Sequence, residues 1–289
     1  MKLGALEAGG TKMVCAIGDE TGKIYEQVSI PTETPEITIP KLISFFEGKG
    51  IEALGIGCFG PIDLNKDSDT YGYITSTTKL PWINCDMVGA FKKALGCPVG
   101  FDTDVNGSAL GEVTFGQAKG KNNVVYITIG TGVGAGVYVE GKLLHGMMHP
   151  EAGHVLIRRR SDDEYEGKCH YHQTCLEGMA AGPAIEDRWG QKAIELKDRK
   201  EVWDLEAYYI AQALVDYIMI LSPEMIILGG GVMHQEQLFP MIRSYVKVLL
   251  GEYIKTKQIE DLEHYIVPAS LNDNQGIMGC LELARQAMA

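Results

Sequence analysis

The chain has 289 residues, 45% hydrophobic and 22% charged, which is ordinary for a globular protein of one large domain or two lobes. Its 38 acidic and 26 basic residues give a net charge of -12. This argues against a nucleic-acid partner, because phosphate backbones are bound by clustered Lys and Arg. No apolar run reaches the length of a membrane span, and the seven cysteines lack disulfide-type spacing. We therefore expect a cytoplasmic protein with reduced thiols.

The N-terminal segment predicts a β-hairpin with a glycine-rich tip. Strand-like runs over 2–7 and 13–18 flank Ala8-Gly9-Gly10-Thr11-Lys12, where glycine permits positive φ. A similar pattern follows later, where the apolar run 124–129 leads into Gly130-Thr131-Gly132 and a further strand. Each tip joins glycines to a threonine hydroxyl, which suggests two lobes of similar design with a boundary near residue 118.

The remaining elements alternate in type, as in α/β proteins. Pro40 is placed as the first residue of a helix over 40–47. A strand over 51–58 ends in a turn containing Gly60 and Pro61, and Asp104 follows a strand over 99–102. Further helices are predicted over 87–95, 105–115, 176–189, 205–221, 235–250 and 275–288, with strands over 24–30, 225–228 and 265–267. The predicted lobes are 1–118, joined by the closing helix at about 275–289, and 119–274.

Three glycine turns offer backbone N–H groups to anionic oxygens. They are Gly9-Gly10, Gly130-Thr131-Gly132 and Gly229-Gly230-Gly231. The second formally fits the dinucleotide fingerprint G-x-G-x-x-A, but that motif must open a helix and here a strand follows. Any one such turn is common in hairpins, whereas three together predict a polyphosphate site.

A kinase also needs a carboxylate to orient and deprotonate the acceptor hydroxyl. Asp104, at the junction of a strand and a helix, is the candidate. Its competing role is that of an N-cap, which Asp commonly fills. Asp102, two residues earlier, is the rival base.

A second cluster of chemistry-bearing residues predicts a zinc site. Cys169, His172 and Cys175 stand three apart, and His154 can complete a tetrahedron. Four protein ligands leave no open coordination position, so the zinc is expected to be structural. His170 is the rival of His172. Two carboxylates, Glu151 and Glu177, flank the ligands and are placed to bind a polyhydroxylated substrate; the alternative for each is ordinary surface charge.

These motifs resemble the sugar kinases of the ROK group (repressors, open reading frames and kinases), over nearly the whole chain. The resemblance implies the two-lobed actin-like ATPase (ribonuclease H-like) fold, here with a zinc-binding loop. The residues that carry it are 7–12 and 129–136 as phosphate hairpins, 60–63 as the sugar-side turn, 104–106 as the base motif, 151–154 as the sugar and zinc motif, and 229–231 as the adenosine turn.

The resemblance implies a role for each matching residue. Asp104 would be the general base, and His154 would serve both zinc and sugar. Structural Zn²⁺, Mg²⁺ with ATP, a hexose substrate and a homodimer are implied as well. The implied sugar-binding residues are Gly60, Pro61, Asp104, Glu151, His154 and Glu177; the implied nucleotide-binding residues are Gly9, Gly10, Thr11, Lys12, Gly130, Thr131, Gly132, Gly182, Pro183, Gly229, Gly230 and Gly231.

Three positions depart from the family pattern. Glu7 stands where most members have Asp, Thr103 where many have Asn, and the zinc loop is C-x-x-H-x-x-C instead of C-x-C-G-x-x-G-C. Glu7 with the following Ala-Gly-Gly-Thr, and Pro150, are similar to the fructokinase branch. The predicted activity is therefore ATP-dependent phosphorylation of the 6-hydroxyl of D-fructose. Glucokinase, mannokinase and allose kinase activities, or a non-catalytic sugar-binding regulator, are the alternatives. A repressor would require a helix-turn-helix segment, which the sequence does not contain.

Overall fold

The computed structural model describes all 289 residues, which divide into two compact units. The first unit comprises Met1–Gly120, Leu143–Pro150 and Ser270–Ala289, and the second comprises Lys121–Lys142 and Glu151–Ala269. The segment Leu143–Pro150 belongs to the first unit, although its place in the chain predicted the C-terminal lobe. The structure has no helix with the length and apolar character needed to span a membrane.

Two five-stranded sheets contain most of the strands, and a two-stranded ribbon, β5-β6, contains the rest. The sheets are ordered β3-β2-β1-β4-β7 and β10-β9-β8-β11-β12. In both, a glycine-tipped antiparallel hairpin (β1-β2, β8-β9) is extended by two parallel strands. The strands are β1 (Leu3–Ala8), β2 (Lys12–Gly18), β3 (Ile24–Pro31), β4 (Ala53–Cys58), β5 (Tyr73–Ile74), β6 (Cys85–Asp86), β7 (Val99–Thr103), β8 (Val124–Ile129), β9 (Val133–Val139), β10 (Lys142–Leu143), β11 (Met225–Gly229) and β12 (Ile266–Pro268).

Ten α-helices accompany the sheets. They are α1 (Pro35–Phe46), α2 (Met87–Leu95), α3 (Asp104–Thr114), α4 (Leu176–Ala180), α5 (Gly182–Trp189), α6 (Lys200–Leu221), α7 (Leu238–Leu250), α8 (Lys257–Glu260), α9 (Leu262–Tyr265) and α10 (Gln275–Gln286). The alternation of helices and strands confirms the predicted α/β class.

Strands β1 and β4 at the centre of the first unit's sheet are buried on both faces, whereas the edge strand β3 is largely exposed. Leu6 of β1 lies in one apolar cluster, with Ile56 of β4, while Leu3 lies in a second cluster. The second cluster includes Ile277 and Leu281 of α10. The C-terminal helix therefore covers one face of the N-terminal sheet.

Glycine allows α10 to approach its neighbours at backbone distance. A Cβ built on Gly279 would lie 1.7 Å from the carbonyl oxygen of Gly107 in α3. A Cβ built on Gly55 in β4 would lie 1.8 Å from the carbonyl oxygen of Cys280. No larger residue fits at either position without displacing the helix.

The prediction that Pro40 begins a helix is wrong. Helix α1 begins at Pro35, after Thr34 in the N-cap position, and Pro40 lies inside it. Both prolines could occupy a first turn. The helix that begins at Pro35 is favoured over a shorter one from Pro40 because it places Thr38, Leu42 and Phe46, at four-residue spacing, on one buried face.

The predicted helix over 176–189 is two helices. Ala181, with ψ of 154°, is extended and separates α4 from α5. Pro183 has no N–H to donate to Met179, so the helix restarts in the orientation that proline favours in a first turn. Arg188 Nη1 donates to the Met179 carbonyl instead, at 3.3 Å.

Candidate active site

Asp104 is the first residue of α3, immediately after β7. The competing role, that of N-cap, is filled by Thr103 instead, whose hydroxyl accepts the N–H of Asn106 at 3.1 Å. Asp104 Oδ1 accepts the adjacent N–H of Val105, at 2.9 Å. Threonine and aspartate are both good N-caps, and here the threonine fills the role. The Asp104 carboxylate is therefore available for chemistry.

The surroundings of Asp104 suit a general base. Burial raises its pKa to about 6, against the opposing effect of the Val105 N–H. Burial also raises the pKa of Glu7 to about 7, and the charge of Asp104 contributes in the same direction. A carboxylate with a pKa just below neutrality is largely ionised at pH 7 and still binds a proton well.

Asp102, the rival base, has a different environment. Its side chain is buried, and its Oδ1 accepts the Thr103 N–H at 2.8 Å and Asn106 Nδ2 at 2.7 Å. Its Oδ2 lies 2.8 Å from His145 Nε2. Three partners occupy this carboxylate, so the geometry favours Asp104 as the base.

The tip of the β1-β2 hairpin does not have the positive φ angles that its glycines predicted. Neither Gly9 nor Gly10 has positive φ. Glycine is required at position 9 for space, because an added Cβ would lie 2.7 Å from the carbonyl oxygen of Lys12. The hydroxyl of Thr32 donates to the Gly9 carbonyl at 2.8 Å, which ties the tip to the end of β3. Thr11 and Lys12 are exposed at this tip.

The sugar-side turn of the first unit contains a cis peptide between Gly60 and Pro61. The Pro61 carbonyl accepts the N–H of Thr75 at 2.9 Å and its hydroxyl at 3.1 Å. The N–H of Ile62 donates to His149 Nε2 at 3.2 Å. The turn is therefore fixed from two sides by the rest of its unit.

The second unit contains a pocket of about 440 Å³, within the range usual for small-molecule sites. Five residues predicted to bind nucleotide line it: Gly130, Thr131, Gly182, Pro183 and Gly231. The N–H of Gly182 donates to the Gly130 carbonyl at 2.7 Å and joins the hairpin to α5.

Other lining residues were not predicted, because they follow no glycine motif. They are Glu186, Lys192, Ala193, Ile194 and Val232. Ile194 contributes an apolar side chain to this lining and is 79% exposed.

Some predicted nucleotide residues of the second unit lie outside this pocket. An added Cβ on Gly132 would lie 2.8 Å from Glu177 Oε2, and one on Gly229 would lie 2.4 Å from the Tyr126 hydroxyl. Gly230 has φ of 89°, and its Cβ would lie 2.5 Å from the Ile129 carbonyl oxygen. These glycines shape the pocket's backbone without lining it.

The four predicted zinc ligands come together, with their ligand atoms all within 4.8 Å of one another. His154 Nδ1 lies 3.7 Å from Cys169 Sγ and 3.5 Å from Cys175 Sγ, and His172 Nδ1 lies 3.8 Å from Cys169 Sγ. Tetrahedral zinc, with bonds of about 2.3 Å to sulfur and about 2.0 Å to nitrogen, separates such atoms by about 3.6 Å. The donor set therefore fits zinc, and the structure places His172, not His170, in it.

Glu177 lies beside this cluster in the first turn of α4. Its Oε2 accepts the N–H of Val133 at 3.0 Å, and its Oε1 lies 3.9 Å from His154 Nε2. Glu151 has an exposed side chain, and its carbonyl accepts the His154 N–H at 3.0 Å. Glu177 therefore lies next to the cluster, and the backbone of Glu151 is joined to it by a tight turn.

Comparison with known proteins agrees with these features. A Bacillus subtilis (strain 168) protein is 53% identical over 99% of this chain and 96% of its own length. The fructokinase of Pediococcus pentosaceus is 45% identical over 100% of this chain and 99% of its own length. The crystal structure of a ROK family glucokinase from Streptomyces griseus in complex with glucose and AMPPNP has a TM-score of 0.76 at 25% identity, covering 99% of this chain and 100% of that one. The ROK family description matches residues 3–287, and the chain belongs to the ROK family.

Proposed function

We propose that this protein is an ATP-dependent fructokinase that phosphorylates the 6-hydroxyl of D-fructose. The proposal depends on the environment of Asp104, which follows β7. Thr103 caps the helix in its place, and burial raises the pKa of the Asp104 carboxyl to about 6. A relative 45% identical over the full chain is named a fructokinase, which supports fructose as the acceptor.

Asp104 would act as general base in the transfer. As the sugar 6-oxygen forms its bond to the γ-phosphorus, the bond from that phosphorus to the β,γ-bridging oxygen breaks, and ADP leaves with those electrons. The hydroxyl proton passes to the Asp104 carboxylate. Atoms and charge balance as fructose 6-phosphate, ADP and one proton, which Asp104 later releases to solvent.

The nucleotide is assigned to the pocket of the second unit. Gly130, Gly182 and Gly231 let a ligand approach the backbone closely, and the Thr131 hydroxyl is suited to phosphate oxygens. Gly9, Gly10, Thr11 and Lys12 of the first unit are assigned to the phosphates as well. Mg²⁺, when bound with ATP, would neutralise charge on the phosphate oxygens, and Glu7 is the carboxylate of the first hairpin suited to holding its water shell.

The zinc cluster would orient sugar-binding groups without taking part in the chemistry. His154 belongs to the cluster, and Glu177 lies beside it, so a metal there fixes both side chains. The proposal assigns both of them, with Glu151, Gly60 and Pro61, to sugar binding. It also includes a homodimer in the cytoplasm, and the seven free cysteines fit a reducing compartment.

The test is ADP release by the purified protein with ATP, Mg²⁺ and each of fructose, glucose, mannose and allose. We expect fructose to give the highest kcat/KM, with the phosphate on the 6-oxygen. The matched control is Asp198→Asn, at an exposed site, set beside Asp104→Asn. Preference for another hexose would replace the substrate. The absence of sugar-dependent ADP release would overturn the kinase.

A further inference from the structure

The segment Leu143–Pro150 is hydrogen-bonded to two parts of the first unit. His145 Nε2 lies 2.8 Å from Asp102 Oδ2, and His149 Nε2 accepts the N–H of Ile62 at 3.2 Å. Both anchors adjoin residues proposed to act on the acceptor. Asp102 precedes Asp104 by two residues, and Ile62 follows the cis Gly60–Pro61 peptide.

Asp102 holds the His145 ring in a fixed position. The carboxylate is only 3% exposed and also accepts the Thr103 N–H and the Asn106 side-chain amide. A buried carboxylate with three donors has little freedom to turn, so the imidazole bonded to it is held rigidly. The same hydrogen bond raises the pKa of His145.

The other edge of the His145 ring is available to a ligand. The side chain is 41% exposed, and Nδ1 has no hydrogen-bond partner in the protein. Thr103, which lies between Asp102 and the base, does not offer such a contact because its side chain is buried. His145 is therefore an anchored polar group with an unused ring nitrogen.

We propose that His145 is a specificity-determining residue that binds a hydroxyl of the acceptor sugar through Nδ1, with Asp102 as its positioning residue. The inference rests on the proposed kinase function and extends it to the choice of sugar. A hydroxyl both donates and accepts, so it matches Nδ1 in either protonation state of the ring. Because Asp102 fixes the ring through Nε2, a hydrogen bond at Nδ1 favours one position of the sugar hydroxyl over others.

Three variants test the role: His145→Ala, His145→Gln and Asp102→Asn. The matched control is His264→Ala, since His264 also pairs with a carboxylate, Asp261, at 2.9 Å, but both side chains are largely exposed in the second unit. Thermal unfolding midpoints are measured for all of them, to exclude global damage. KM for sugar, KM for ATP and kcat are determined with fructose, glucose and mannose.

For His145→Ala we expect the KM for fructose to rise about 10- to 100-fold, the loss of one hydrogen bond to a polar ligand, while the KM for ATP changes less than about threefold. The ranking of the three sugars should flatten, and His145→Gln should recover part of the affinity. Asp102→Asn should act in the same direction, and its effect should not add to that of His145→Ala.

Two failures are distinguishable. A wild-type protein without sugar-dependent ADP release overturns the proposed function itself. A wild-type kinase whose His145→Ala variant keeps the same sugar KM and the same ranking overturns this inference alone. An equal loss with every sugar and with ATP would likewise contradict it, because that pattern reports structural damage.

Discussion

Replacing Asp104 with Asn should lower activity and raise stability at the same time. Turnover should fall about 10²- to 10⁴-fold, the usual contribution of a general base, with little change in nucleotide affinity. Stability should rise because the native protein holds a carboxylate that burial disfavours. A pKa raised from 3.8 to about 6 costs the folded state about 3 kcal/mol above pH 6.

The sign follows from which state ionises first. Between pH 3.8 and about 6 the unfolded chain loses this proton while the folded protein keeps it, so the wild type loses stability as pH rises. Asn cannot ionise, and its Oδ1 can still accept the Val105 N–H. The variant's advantage should therefore be complete at about pH 8 and about half as large at about pH 5.

Urea unfolding at these two pH values, with kinetics on the same preparations, measures both effects. The comparison between pH values cancels any constant consequence of the amide. Near-normal turnover would refute Asp104 as the base. A loss of stability of equal size at both pH values would refute the claim that its carboxylate is held at an energetic cost.

Three further predictions concern other parts of the site. Removing metal with a chelator should weaken fructose binding and lower the unfolding midpoint, and a metal-free, folded protein with unchanged affinity by calorimetry would contradict this. The pH profile of kcat/KM should contain one step near pH 7 from Glu7 and one near pH 6 from Asp104. The Glu7→Gln variant should lose only the step near pH 7, because burial sets the pKa of Asp104. Gly230→Ala should cost about 2 to 4 kcal/mol in urea unfolding, against about 1 kcal/mol for Gly251→Ala, which has φ of 56° but open space around it. If the two variants lost equal stability, backbone strain at positive φ would explain both losses, and the predicted steric clash at position 230 would be wrong.

The cluster of four metal-ligating side chains and the paired hairpins were predictable because their signals are local. Cys169, His172 and Cys175 lie within seven residues of one another, and the run 124–129 is apolar throughout before its glycine tip. Such patterns need no knowledge of distant contacts. The family resemblance added a role for each glycine turn, which composition alone could not provide.

Features that depend on distant or competing residues were not predictable. Thr103 and Asp104 are both good caps, and only the start of the helix decides between them. His145 carries no motif, since its partner Asp102 lies 43 residues earlier. The start of α1 was missed because two prolines offered equally good first turns.

The place of α10 has a consequence for synthesis on the ribosome. Ile277, Cys280 and Leu281 complete an apolar cluster with Leu3 and other residues of the N-terminal sheet. At about 5 to 20 residues per second, a nascent chain exposes that sheet face for on the order of ten seconds or more before α10 emerges. The second unit, complete by Ala269, can fold first. We therefore expect the second unit to fold before the first is complete, so that the earliest strands made stay open to aggregation for longest during translation.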